Sequence, residues 1–225
     1  MVTYNMGVQV DTFICVVEKK CDTARGINME NTTKNRILEQ ALIMFAEKGY
    51  KGTNLRELAS ALGLSKSALY KHYESKEDIW NAMIEMMEVY YTERFGSVNN
   101  LPRIPESGEE LFALTMKMIH FTMYDQKVIL TRKLLLMEQF RDVRVAKLTT
   151  KYCLTGLEQM FTMIFRQMMN MGSLKGDSPE MLALLYTASI SSLIHLFTRE
   201  PDRKAEVMER CEEFVRYFIT NYVNG

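Results

Sequence analysis

Lys66, Ser67, Ala68 and Tyr70 have the types and spacing to contact the base edges and phosphates of duplex DNA. Lysine donates to guanine O6 and N7, serine is permissive, and an alanine methyl packs on a thymine methyl. Tyr70 adds a ring for a thymine methyl or the sugar and a hydroxyl for a phosphate. Lys71 shares its face, while His72 and Lys76 fall where one helix ends and the next begins, suited to phosphate oxygens. A recognition helix enters the major groove by its N-terminal residues, so Lys66, Ser67 and Ala68 are the first candidates for base contact. Each has a plainer reading: an isolated lysine is by default a solvated charge, and Tyr73 follows the spacing of a buried face. The surrounding motif favours DNA because it brings the donors to one edge.

The elements that position them lie in residues 54–76, NLRELASALGLSKSALYKHYESK. Asn54 to Glu57 has the form of a capping box, with Asn54 accepting from the third helical N–H and Glu57 reaching back to the cap. Leu55, Leu58, Ala59 and Leu62 recur at amphipathic-helix spacing. Gly63 supplies a left-handed terminus, and Ser65 caps a second helix over 66–73 that buries Leu69 and Tyr73. Two short helices joined by a turn of about 3–4 residues with glycine form a helix-turn-helix. Ser75-Lys76-Glu77-Asp78 then opens another capped helix, whose N–H groups suit a phosphate.

Residues 32–80 resemble the DNA-binding domain of the TetR family of bacterial one-component repressors. The resemblance runs from Asn35 through Phe45 and Lys48-Gly49-Tyr50 to Gly52-Thr53. It continues over Leu55–Ala59, Leu62–Lys66, Leu69-Tyr70, His72-Tyr73 and Ser75–Glu77. It implies that Arg56 reaches a base from the second helix, and that Thr53, His72 and Lys76 hold phosphates. Asn54 and Ser65 complete the DNA-facing candidates. It also implies an all-α protein: an N-terminal three-helix DNA-binding domain, then a larger helical bundle that binds an effector and dimerises. Function follows as a ligand-responsive repressor, with activation, or action through a protein partner, as the competing readings.

Charge limits how DNA is gripped. Lysine plus arginine number 28, as do aspartate plus glutamate, so the chain is no polycation. Affinity must come from placed contacts and from doubling the unit on two half-sites. A homodimer is expected through the last two helices, where Ala183, Ala188, Ser189 and Ser192 permit close approach. Leu182, Leu185, Leu193, Phe197, Phe214, Phe218 and Ile219 supply apolar area.

The division expected is 29–78 for DNA and 79–225 for effector and dimer. Residues 1–28 lack helical periodicity and are read as a disordered arm or an over-long start. A helix over 76–94 carries Ile79, Trp80, Met83, Ile84, Met87 and Tyr91 on one face and serves as a lever between domains. Gly96, Pro102, Pro105 and Gly108 mark a loop. Helices are expected over 108–124, 126–139 and 143–171, then from a Ser178 cap to 198, and from Pro201 to 222. The apolar stretch from Met181 to Phe197 is broken by hydroxyls and His195 and reads as a bundle helix rather than a membrane span.

The larger domain is rich in methionine, a flexible and polarizable residue. With interleaved aromatics it suggests an apolar or aromatic effector held by Phe112, Met116, His120, Tyr124, Met137, Phe161, Phe165 and His195. Any one of these residues could equally fill the core. Cys15, Cys21, Cys153 and Cys211 lack ligand spacing and fit reduced thiols in the cytoplasm; no metal or cofactor is expected. No acid–base pair, phosphate loop or partnered nucleophile points to an enzyme.

Overall fold

The computed structural model describes residues 32–95 and 103–224. The expectations for residues 1–28, Cys15, Cys21, Gly96 and Pro102 lie outside the described residues. The chain divides into two units at Arg36/Ile37. In the first, the Thr32 hydroxyl accepts from the Asn35 N–H at 3.3 Å and caps the start of α1 (Thr33–Gly52).

In the second unit, α1 buries Ile37, Leu38, Ala41, Leu42 and Phe45 along one stripe. Helical geometry breaks at Gly49 (φ 74°, ψ 167°), a backbone state that only glycine adopts cheaply. α2 (Leu55–Ala61), α3 (Lys66–Tyr70) and α4 (Lys76–Phe95) follow. Leu58, Leu69, Ile79 and Met83 are fully buried around Phe45. Trp80 stands edge-on to Phe45 and Tyr50, at centroid distances of 5.3 and 4.9 Å.

Two local expectations are corrected. Asn54 caps α2, but its side chain accepts from the Arg56 N–H at 2.9 Å rather than from residue 57. Glu57 does not close the box: its carboxylate meets Lys48 Nζ at 2.6 Å, a charge pair that outcompetes the neutral N–H. The second correction concerns α3, which ends at Tyr70 rather than at residue 73. The Leu69 carbonyl accepts from both His72 and Tyr73 N–H groups, tightening the last turn before α4 begins. Ser65 and Ser75 cap as expected, accepting from Ala68 and Asp78 at 3.1 and 3.0 Å.

Gly63 sits at φ 67°, with open space where a Cβ would stand. Gly63→Ala therefore carries a conformational cost alone and should lower stability by about 1–2 kcal/mol. Urea unfolding measures this, and an unchanged midpoint would contradict the left-handed turn.

The larger bundle comprises α5 (Gly108–Tyr124), α6 (Gln126–Glu138), α7 (Val143–Thr150), α8 (Gly156–Asn170), α9 (Pro179–Arg199) and α10 (Lys204–Tyr222). Ser107, Asp125, Asp142 and Ser178 each cap the helix that follows, which is why these boundaries were readable in the sequence. One difference is internal. Residues 143–170 are not a uniform α-helix, because Lys151–Thr155 form a π turn closed by the Gly156 N–H on the Lys151 carbonyl. A Cβ on Gly156 would stand 2.5 Å from that carbonyl oxygen, so the turn requires glycine.

α9 is long and apolar enough to cross a membrane by length and composition. Here Leu182, Ala183, Tyr186, Ile190, Ile194 and Phe197 are packed in the bundle core. Tyr186 contacts Phe161, Phe165, Phe214 and Phe218. Leu134, Leu135 and Val145 of α6 and α7 instead join the core around Trp80, which also holds buried residues of α1 to α4.

Candidate DNA-reading face and ligand cavity

The caps and the Gly63 turn leave Lys66, Ser67, Tyr70 and Lys71 on the exposed side of α3, while Leu69 points into the core. Lys66 Nζ lies 5.4 Å from the Tyr70 ring centroid, so the ring steadies the amine. Ser65 and Ser67 hydroxyls are 2.9 Å apart. A shallow groove beside this helix brings together Thr53, Asn54, Arg56, Lys66, Tyr70 and Lys76, from the starts of α2, α3 and α4. Glu57 and Glu74 also line it. Ala68 and His72 are half-buried.

One phosphate candidate stands differently from its sequence reading. Thr53 is buried, and its hydroxyl donates inward to the Gly49 and Met44 carbonyls at 2.9 and 3.2 Å. Its side chain holds the end of α1 and does not face outward. Lys76 lies with Nζ 4.6 Å from the Tyr50 ring centroid. Burial pushes its pKa down, while the carboxylate of Glu138 acts in the opposite direction.

Glu138 is a joint that the sequence reading did not identify. It is buried at the end of α6, and its Oε1 accepts from the Tyr50 N–H at 3.1 Å and from Arg141 Nη1 at 3.3 Å. Lys127 at the start of α6 meets Glu39 of α1 at 2.7 Å, and Arg144 of α7 meets Asn81 of α4 at 2.7 Å. Polar contacts thus tie α6 and α7 to α1 at two points and to α4 at a third.

Behind this joint the bundle holds a cavity of about 380 Å³, within the usual range for a small-molecule site. Its walls come from α4, α5, α6, the π turn, α8 and α9. Phe161 and His195 line it; the other six effector candidates stand elsewhere. Phe165 is wholly inside the aromatic core, Met116 packs against that core, and Phe112 lies under Arg216. His120 stacks on exposed Tyr124, which is covered by Lys204. Met137 abuts Gly49 beside Glu138. Of the methionines, Met118 and Met160 line the cavity, whereas Met123 and Met168 are core. Spacing along one helix does not say which apolar stripe meets a void and which meets another helix.

The polar lining comprises Thr115, Arg132, Cys153, Gln159, Thr187 and Ser191 among others. Arg132 was missed, although its position carried a signal. Val128, Thr131, Arg132 and Leu135 share one helical face, so an arginine occupies an apolar position. Gly156 was a second signal, since glycine inside a helical run suggests an irregular turn. Burial pushes the Cys153 thiol up to about 11, and it is buried and free, as is Cys211.

Residues 37–83 match the family described as bacterial regulatory proteins, tetR family. That match covers the helix-turn-helix and the helices that flank it. A curated relative is the negative transcriptional regulator IcaR of the biofilm operon icaADBC from Staphylococcus epidermidis. It is 36% identical over 58 residues, 26% of this chain and 31% of IcaR, so the match spans less than a third of that relative. A TetR transcriptional regulator from Chloroflexus aurantiacus shares the fold with TM-score 0.67 and 18% identity, covering 85% of this chain and 97% of that one. SmeT, repressor of the Stenotrophomonas maltophilia multidrug efflux pump SmeDEF, gives TM-score 0.61 and 17% identity, covering 86% and 92%. SmeT has also been solved in complex with triclosan.

Proposed function

We propose that this protein is a ligand-responsive transcriptional regulator of the cytoplasm. It represses by gripping a palindromic operator as a homodimer and is released by a small apolar or aromatic effector. In this reading residues 29–78 read DNA and residues 79–225 bind effector and dimerise. The observation that carries it is the exposed Lys66–Tyr70 edge on a tetR-family helix-turn-helix. An apolar cavity lies in the bundle joined to that unit. The names of IcaR and SmeT as repressors support the sign of regulation.

The dimer surface is supported by Met181, Leu185, Ala188 and Ser192, which form an exposed stripe on α9, and by exposed Tyr217 on α10. Leu182, Ala183, Phe197 and Phe218 are inside the bundle and belong to the monomer core. An effector acts by its differential affinity for two arrangements of α4 and α6, typically about 1–3 kcal/mol of coupling. Sedimentation and footprinting on genomic fragments test the reading together. The parent should be a dimer protecting two half-sites one helical turn apart, and Leu185→Glu should yield monomers with lost protection. A monomeric parent that retains no fragment at low salt would overturn it.

A further inference from the structure

Arg132 presents a physical problem that the fold leaves unsolved. It is 4% exposed and lines the cavity of the larger bundle. Its Nε donates to the Thr198 hydroxyl at 2.7 Å, and Nη1 donates to the Thr122 carbonyl at 3.0 Å. Those bonds secure the end of α5 to α9, which is a structural role for two of its three nitrogens. Nη2 is buried and has no hydrogen-bond partner. An arginine cannot shed its charge, and a buried cation without a counter-ion carries a large desolvation penalty.

No group lining the cavity, among the described residues, supplies the missing negative charge. Among the described residues, no aspartate or glutamate lines the cavity. Tyr91 and Cys153 are the ionisable neighbours that act on Arg132, and burial raises both, keeping phenol and thiol neutral. His195 is lowered by burial, then by Arg199 and Arg132, and so adds no charge of either sign near neutrality. Lys151, exposed at the cavity edge, brings a second cation, with Glu88 at 3.8 Å. The remaining wall is largely apolar, including Met118, Ile119, Met160, Phe161, Ile190 and Ile194.

We infer that the effector is a singly charged amphiphile of the carboxylate class, its anionic head on Arg132 and its apolar body along the Met160–Phe161 wall. This deepens the reading proposed above and rests on it. The anion completes the hydrogen bonding of Nη2 and neutralises the guanidinium in a medium where the charge pair is little screened. The Thr187 hydroxyl is committed to the Ala183 carbonyl at 2.8 Å, and the Thr115 hydroxyl to Tyr186 at 2.7 Å, so neither competes for the head group. Arg132 and Glu138 lie on the same helix six positions apart. A ligand bound at the first therefore acts on the element that holds Gly49 and Tyr50.

Calorimetry on the full chain tests this with decanoate, decanol and decylammonium, which share a tail and differ in head charge. Decanoate should bind about 30-fold or more tighter than either other probe. Arg132→Met should abolish that preference, bringing decanoate affinity down to that of decanol. Arg132→Lys keeps the charge and should retain a reduced preference for decanoate, which guards against a folding defect in the first variant. Equal binding of decanol, preference for decylammonium, failure of all three probes, or a preference surviving Arg132→Met would each overturn the anionic assignment. DNA retention by the unliganded parent is read separately. Its loss sinks the regulatory reading, whereas its presence with no decanoate preference sinks this inference alone.

Discussion

Removing Lys66 and Tyr70 together should lower affinity for the operator on the order of 100-fold or more while leaving the fold intact. Both side chains stand outside the core, whereas Leu69 between them is fully buried. A double Lys66→Ala/Tyr70→Ala variant should therefore keep the parent's unfolding midpoint. The loss should be less than the product of the single effects, because the Tyr70 ring steadies the Lys66 amine and removing either weakens both. Fluorescence anisotropy with an operator fragment measures it. The salt dependence assigns the lysine: a base contact leaves the slope unchanged, and a phosphate contact reduces it by about one per half-site. A double variant that binds as the parent does would put the reading edge elsewhere.

Gly49→Ala should destabilise the protein by about 2–4 kcal/mol, because two costs coincide at one position. The φ of 74° strains any residue with a Cβ, and that Cβ would stand 2.8 Å from Glu138 Oε1. The oxygen ends a flexible side chain but is pinned by the Tyr50 N–H and Arg141. Moving aside would leave a backbone donor unpaired. Denaturant unfolding should show the same substitution costing less in a Glu138→Ala background, where the clash is gone but the strain remains. Equal cost in both backgrounds would show that the two residues do not meet. The same variants should weaken the transmission of ligand binding to DNA, since Glu138 joins α6 to the end of α1.

This joint marks where sequence reasoning stopped. The caps at Asn54, Ser65, Ser75, Asp125 and Ser178, and the left-handed turn at Gly63, are local devices. Each involves groups within a few residues, so each was visible in the order of amino acids. The same applies to the stripe from Ile79 to Tyr91, which is buried as its spacing predicted. Glu57 shows how a local rule is overridden, because Lys48 lies nine positions away in sequence yet 2.6 Å away in space.

The cavity was legible only in kind. Methionine and aromatic abundance pointed to an adaptable apolar interior, and Phe161 and His195 lie on its wall. The other candidates lie away from it, because a helix has several apolar stripes and the void faces one of them. Arg132 and Glu138 were available as polar residues at apolar positions of α6. That anomaly becomes informative once a buried charge is required to have a partner.

Most helix starts and the left-handed turn at Gly63 were thus determined by the sequence alone, since backbone capping and short-range periodicity act over a few residues. The tertiary structure alone decided which bundle residues surround the cavity and that α6 bridges it to Gly49 and Tyr50. It also decided that Thr53 turns inward. The bridge depends on contacts between residues 88 positions apart, formed when helices with several possible faces pack in one arrangement, whereas Thr53 is turned by carbonyls only four and nine positions back.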